Sequence, residues 1–176
     1  MTPAGPVARL RDGTAVGAWL LKANPAVWDI GTFLASGVEV DRWRLAPSYR
    51  AGLMAPGHPA VLWVTRGDPA LEPGVRAVGV VTAEARADVG EPDDPLWRDL
   101  AAQQQVRPYV EVRLAAVDRP VTAAEVRADP RLAGTEILRV PRLGSPVALT
   151  PEEWEALSDL LGGDGALAPT EYPLRP

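Results

Sequence analysis

The sequence predicts an α+β fold, a small, strongly bent or barrel-like sheet with short helices packed around it. Three observations carry this. Five or six short segments have strand character, as continuous apolar runs or as alternating apolar and charged side chains. Only three segments have helical spacing and caps, and all are short. The strand-like segments also follow one another too closely, with too few helices between them, for a doubly wound parallel sheet. At 176 residues the chain has the length of one domain. With 47% apolar residues it can bury a core.

The elements follow in order. Residues 1–16 are small, Pro/Gly-rich and unpatterned, and read as a flexible N-terminal arm. Ala18-Trp-Leu-Leu-Lys22 is a buried strand closed by Asn24-Pro25. Asn24 then caps a helix over Ala26–Ala35, with Pro25 at its first position and Gly37 as its stop. Val38–Arg44 alternates as a half-buried strand does. Pro56-Gly57-His58-Pro59 is a tight loop. Ala60–Arg66 and Val75–Thr82 are the clearest strands, and the turn residues between them pair them as a hairpin.

An acidic, Pro-containing loop, Ala87–Pro95, leads to Trp97, and Tyr109–Leu114 is a further alternating strand. Thr122 and Glu125 have capping-box spacing at the head of a short helix ending at Ala128. The strongest helix runs from Thr150 to Leu161, with Thr150 as cap, Pro151 first, Glu153 completing the box and Gly162-Gly163 as the stop. The domain therefore spans 17–162, and 163–176 is a Pro-rich C-terminal tail.

Charge narrows the function classes. The formal net charge is −5, and residues 151–176 account for it with six acids against Arg175. The remainder is neutral, and from Arg42 to Gly67 there are four arginines and no acid. That balance argues against indiscriminate high-affinity binding to a phosphate backbone. The absence of cysteine excludes a disulfide scaffold, a thiolate metal site and a cysteine nucleophile. The lone imidazole, His58, sits in a turn and reads as a solvated loop residue, or secondarily as a ligand contact. No serine is marked as a nucleophile, and Gly162-Gly-Asp-Gly165 follows a helix instead of opening one, so no phosphate loop is present. No catalytic residue, metal site or cofactor is expected. No apolar run reaches the roughly 20 residues of a membrane span, so a cytoplasmic protein without a membrane partner is expected.

Tryptophan stands out, with six among ten aromatic residues. Trp19 and Trp154 read as core. Trp43, Trp63 and Trp97 have two readings, core filling or the walls of a slot for a flat ring. Trp43 lies between Arg42 and Arg44, an awkward setting for simple burial, and arginines beside such a slot can meet flanking phosphates.

Several segments, taken together in order, resemble the EVE domain family. They are Trp19-Leu-Leu-Lys-Ala-Asn-Pro25, the position of Trp43, Gly57-His-Pro-Ala-Val-Leu-Trp63, Gly74–Val81, Asp129-Pro-Arg-Leu-Ala133, Ile137-Leu-Arg139 and Leu149-Thr-Pro-Glu-Glu-Trp154. The resemblance implies a PUA-like fold, a small β-barrel with flanking short helices as in the related YTH and ASCH domains. It implies a non-enzymatic domain that holds a modified base of DNA or RNA in an aromatic pocket, acting as a monomer. By that analogy Trp43, Trp63 and Trp97 supply stacking surfaces, Lys22, Asn24 and Ser145 read the base edge, and Arg44 borders the ligand. Arg42, Arg50 and Arg142 would meet the nucleic-acid backbone, Arg142 and Ser145 from a loop that closes over the pocket. Base identity does not carry over, because His58 and Arg42-Trp-Arg-Leu-Ala-Pro-Ser-Tyr49 depart from the family's usual residues. Two further readings stand beside this one: a protein-interaction or regulatory module with a vestigial pocket, and an ASCH-like small-molecule hydrolase.

Overall fold

Parity along two strands sets the architecture. In a computed structural model, described for residues 7–163, strand β1 (Ala18–Ala23) runs parallel to β3 (Pro59–Val64), and both are apolar at successive positions. Trp19, Leu21, Leu62 and Val64 face one core; Leu20, Val61 and Trp63 face another on the opposite side of the sheet. A strand covered on both faces has no polar side, which is why these runs read as continuous.

The sheet has six strands in the order β2-β5-β4-β3-β1-β6, where β2 is Val40–Arg44, β4 is Gly74–Asp88, β5 is Arg107–Thr122 and β6 is Val147–Leu149. All neighbours except β1 and β3 are antiparallel. The expected β3–β4 hairpin is present. The expected closed barrel is not: β2 and β6 end the sheet as unpaired edges, so it is an open mixed sheet. The architecture is nonetheless consistent with a PUA-like fold. Among the described residues, no helix is long and apolar enough to cross a membrane.

Two helices begin as their sequences require. Helix α3 (Ala123–Ala128) carries the Thr122/Glu125 capping box, and α5 (Pro151–Leu160) carries the Thr150/Glu153 box with proline in its first turn. The helix expected over 26–35 is reduced to α1 (Ile30–Ala35), with Asp29 as its cap. Asn24 instead accepts from Ala26 N–H at 3.0 Å and closes a turn. The intervening Trp28 makes an isolated backbone bridge with Trp97. Two further short helices, α2 (Leu100–Gln103) and α4 (Glu136–Arg139), and a 3-10 helix over Tyr49–Leu53 complete the set.

Strands β4 and β5 extend well beyond the expected segments, because the end of β4 (83–88) pairs with the start of β5 and the end of β5 (115–122) pairs with the start of β4, with register shifts between them. The described part of the N-terminal arm folds back on itself through Leu10 N–H to Thr14 O and Val16 N–H to Ala8 O, packing Ala8 and Leu10 on the core. The expected tail, Gly163 apart, lies outside the described residues. His58 is buried, not solvated: its Nδ1 accepts from Trp19 Nε1–H at 3.2 Å and Ala55 N–H at 3.1 Å.

Candidate functional site

A cleft of about 220 Å³ opens where edge strand β2 meets the turns at 24–28 and the loop at 90–97. That is below the roughly 300–1,000 Å³ of drug-sized sites and suits one flat ring system. Trp28, Trp43 and Trp97 line it, with Tyr109 of β5.

Local contacts hold each ring. Trp43 is carried by β2 opposite Val110 and donates Nε1–H to the Lys22 carbonyl at 3.2 Å. Trp28 meets Trp43 edge-on, with centroids 5.8 Å apart and planes at 83°, and packs on Phe33 at 4.9 Å. Its own Nε1–H donates to Asp94 Oδ2 at 2.7 Å. Trp97 packs on Gly90, where a Cβ would lie 2.6 Å from ring atom Cζ2. Arg98 fastens this loop to the 24–29 turns, donating to Pro25 O at 3.0 Å and pairing with Asp29 at 2.8 Å. Hydrogen bonds from the Thr32 backbone and from Arg98 hold the Asp29 carboxyl below its ordinary pKa. The aromatic walls are therefore fixed by the protein itself, the condition under which a ligand meets little ordering cost.

The polar rim differs from the expectation. Arg42 lines the cleft, but its guanidinium binds Glu91 at 2.7 Å and Asp88 at 3.0 Å and lies 4.3 Å above the Tyr109 ring. Its charge is compensated, and it clamps the 88–91 loop instead of facing a phosphate. Lys22 lines the cleft as well, with Nζ donating to Pro141 O at 2.6 Å and Leu143 O at 2.7 Å; burial lowers its pKa. Asn24 stands at the rim, exposed. Arg44 donates to Gln105 Oε1 at 2.9 Å, a neutral partner, and its Nε–H is buried without one. Burial lowers the Arg44 pKa and raises that of Tyr109, whose hydroxyl is also buried and unpartnered.

Four expected residues lie elsewhere. Trp63 fills the second core, since alternation along β3 points it away from Leu62 and Val64. Arg50 is paired to Glu136 through two hydrogen bonds at 2.7 and 2.9 Å and does not line the cleft. Ser145 is buried, its Oγ accepting from Lys22 N–H at 2.7 Å, so it ties the 141–145 loop to β1 and does not line the cleft. Arg142 is exposed on that same loop and does not line the cleft. Sequence reasoning missed Trp28, Tyr109, Asp94 and Gly90. Trp28 lies inside the segment whose sequence reads as a helix, and Tyr109 reads from sequence only as a strand residue.

Solved structures share this fold. The chain is similar to Rpa0253 from Rhodopseudomonas palustris (27% identity, 84% of this chain and 94% of that one, TM-score 0.52). It is similar to PSPTO5229 from Pseudomonas syringae (20%, 82% and 99%, 0.59). It is also similar to human THYN1, solved in complex with 5-methylcytosine-containing DNA (18%, 82% and 96%, 0.56). None of the curated protein sequences matches the chain significantly. The EVE domain model matches residues 17–160, the whole sheet with the cleft and all of α5, and the chain belongs to the EVE domain family.

Proposed function

We propose that this protein binds nucleic acid by holding one modified base, extruded or unpaired, in the cleft walled by Trp28, Trp43 and Trp97. The observation that carries the reading is the fixed aromatic slot itself, sized for one ring system and bordered by polar groups. Stacking on such walls contributes roughly 1–3 kcal/mol per base. The similarity to a THYN1 structure holding 5-methylcytosine-containing DNA supports a methylated pyrimidine as the first ligand to try. The reading is non-catalytic: the single imidazole, His58, stands outside the cleft with Nδ1 engaged by Trp19 and Ala55. The reading takes a single chain as the binding unit.

The test is a tryptophan-fluorescence titration with short single-stranded oligonucleotides, unmodified or carrying methylated cytosine or adenine. The expected outcome is quenching that is strongest for one modified base. Trp43→Ala should weaken that binding by about 10- to 100-fold, the loss of one stacking wall. Circular dichroism and a melting curve verify that the variant is folded. A folded variant that binds as the wild type does removes Trp43 from the site. A wild type that quenches with none of the oligonucleotides shifts the reading to an interaction module.

A further inference from the structure

Two buried donor atoms at the cleft have no hydrogen-bond partner among the described residues, and they stand side by side. Arg44 on β2 and Tyr109 on β5 are directly opposed in the antiparallel register, which sets their Cβ atoms about 5 Å apart on one face. Both residues line the cleft. Tyr109 is 7% exposed, and its hydroxyl and the Arg44 Nε–H are each shielded from solvent without a hydrogen-bond partner. Two such groups at neighbouring positions are costly for a folded protein to carry, since each loses its water and gains nothing in return.

The neighbouring arginine shows what a purely structural arrangement looks like. Arg42 is clamped by Asp88 and Glu91 and covers the face of the same tyrosine. Arg44 has a single neutral contact, to Gln105 Oε1. Among the described residues it forms no salt bridge, Asp99 acting on it only through space, so it is the cation of the pair that can turn.

Resting on the proposed nucleotide reading, we infer that Tyr109 Oη and the Arg44 guanidinium form a two-donor reading edge. They would take one acceptor oxygen of the bound nucleotide, Arg44 turning off Gln105 as it does so. The guanidinium only donates and the phenol can donate beside it, so one acceptor satisfies both: a ring carbonyl of the base or an oxygen of the adjoining phosphate. Where the acceptor is a base carbonyl, the edge gives the slot discrimination that stacking lacks, because every base has a π-face but not every base presents an oxygen at that place; a phosphate contact would position the nucleotide without reading it.

The experiment compares wild type, Tyr109→Phe and Arg44→Lys by fluorescence titration. The probes are a single-stranded oligonucleotide carrying one 5-methylcytosine, its N6-methyladenine counterpart and the two free nucleosides. Each variant should weaken oligonucleotide binding about 10-fold, the lysine failing to rescue because it keeps the charge and loses the Nε–H. Tyr109→Phe should melt at or above the wild-type temperature, since it removes an unpartnered buried hydroxyl and leaves the ring under Arg42. Loss on both oligonucleotide and nucleoside identifies a base carbonyl; loss on the oligonucleotide alone identifies the phosphate. A wild type that binds while both variants bind equally well overturns the assignment of these two residues and leaves the stacking site standing. A wild type that binds none of the probes overturns both.

Discussion

Gly90 sets the position of Trp97, and it does so by lacking a side chain. A Cβ there would lie 2.6 and 2.8 Å from two atoms of the indole and 2.9 Å from Gln103 Cγ. Gln103 is buried and donates to the Glu91 carbonyl, so it has little room to retreat and the indole must move. Gly90→Ala should therefore lower stability by about 1–3 kcal/mol, the usual cost of overpacking. It should also weaken oligonucleotide binding several-fold while leaving Trp43 in place. Melting curves and the same fluorescence titration check both. At this scale the sequence made Trp43 and Trp97 legible, because each sits beside charged or turn residues that plain burial does not explain. Trp63 was misplaced for a reason of parity: an all-apolar strand does not disclose which face each side chain takes, and one position moves an indole to the other core. Tyr109 was silent because its significance lies in a missing partner, which only the assembled fold reveals.

A helix terminus, a turn and an edge strand are joined by the Arg50–Glu136 pair. Arg50 belongs to the 3-10 helix over Tyr49–Leu53, Glu136 opens α4, and Glu136 also accepts from Ala148 N–H of β6 at 3.3 Å. The two side chains are only 14% and 20% exposed, so the pair is screened far less than a surface bridge. Hydrogen bonding to Arg50 outweighs burial and holds the Glu136 carboxyl below its ordinary value of 4.5. A depressed folded-state value means the contribution is complete above the unfolded value and fades as pH falls through the lower folded one. Glu136→Gln should cost about 2 kcal/mol at neutral pH, since it leaves a half-buried guanidinium without its counter-charge. The loss should shrink in acid, where the wild type also lacks the carboxylate; melting temperatures from about pH 7 down to about pH 3 test the convergence. Capping boxes at Thr122 and Thr150 were readable to the residue because their chemistry is local. The helix at 26–35 was not, because Asn24-Pro25 is an equally good turn signal and the Trp28–Trp97 bridge is a long-range fact.

For the whole molecule, the distribution of charge decides what kind of nucleic-acid binder this chain can be. The body is neutral and the excess acid lies in its last 26 residues, 151–176. Around the cleft the fold removes still more cationic charge from use: Arg42 is compensated by Asp88 and Glu91, and Arg98 by Asp29. Arg50, whose place in the sequence beside Trp43 made it resemble a backbone contact, is compensated by Glu136 far along the chain. The sequence displays an acid-free arginine stretch; the structure supplies its counter-charges from elements that are distant in sequence and adjacent in space. Arg44 is the cleft arginine whose polar contact is neutral. Affinity must then come from stacking and the reading edge, with about one or two phosphates neutralised. For single strands the slope of log K against log salt is about −0.7 per phosphate, so a slope near −1 is expected for the best oligonucleotide between about 50 and 300 mM salt. The preference for the modified base should survive across that range, since stacking is not screened. A slope steeper than about −3 would mean a track of four or more phosphates on another face, and would place the main source of affinity outside the cleft.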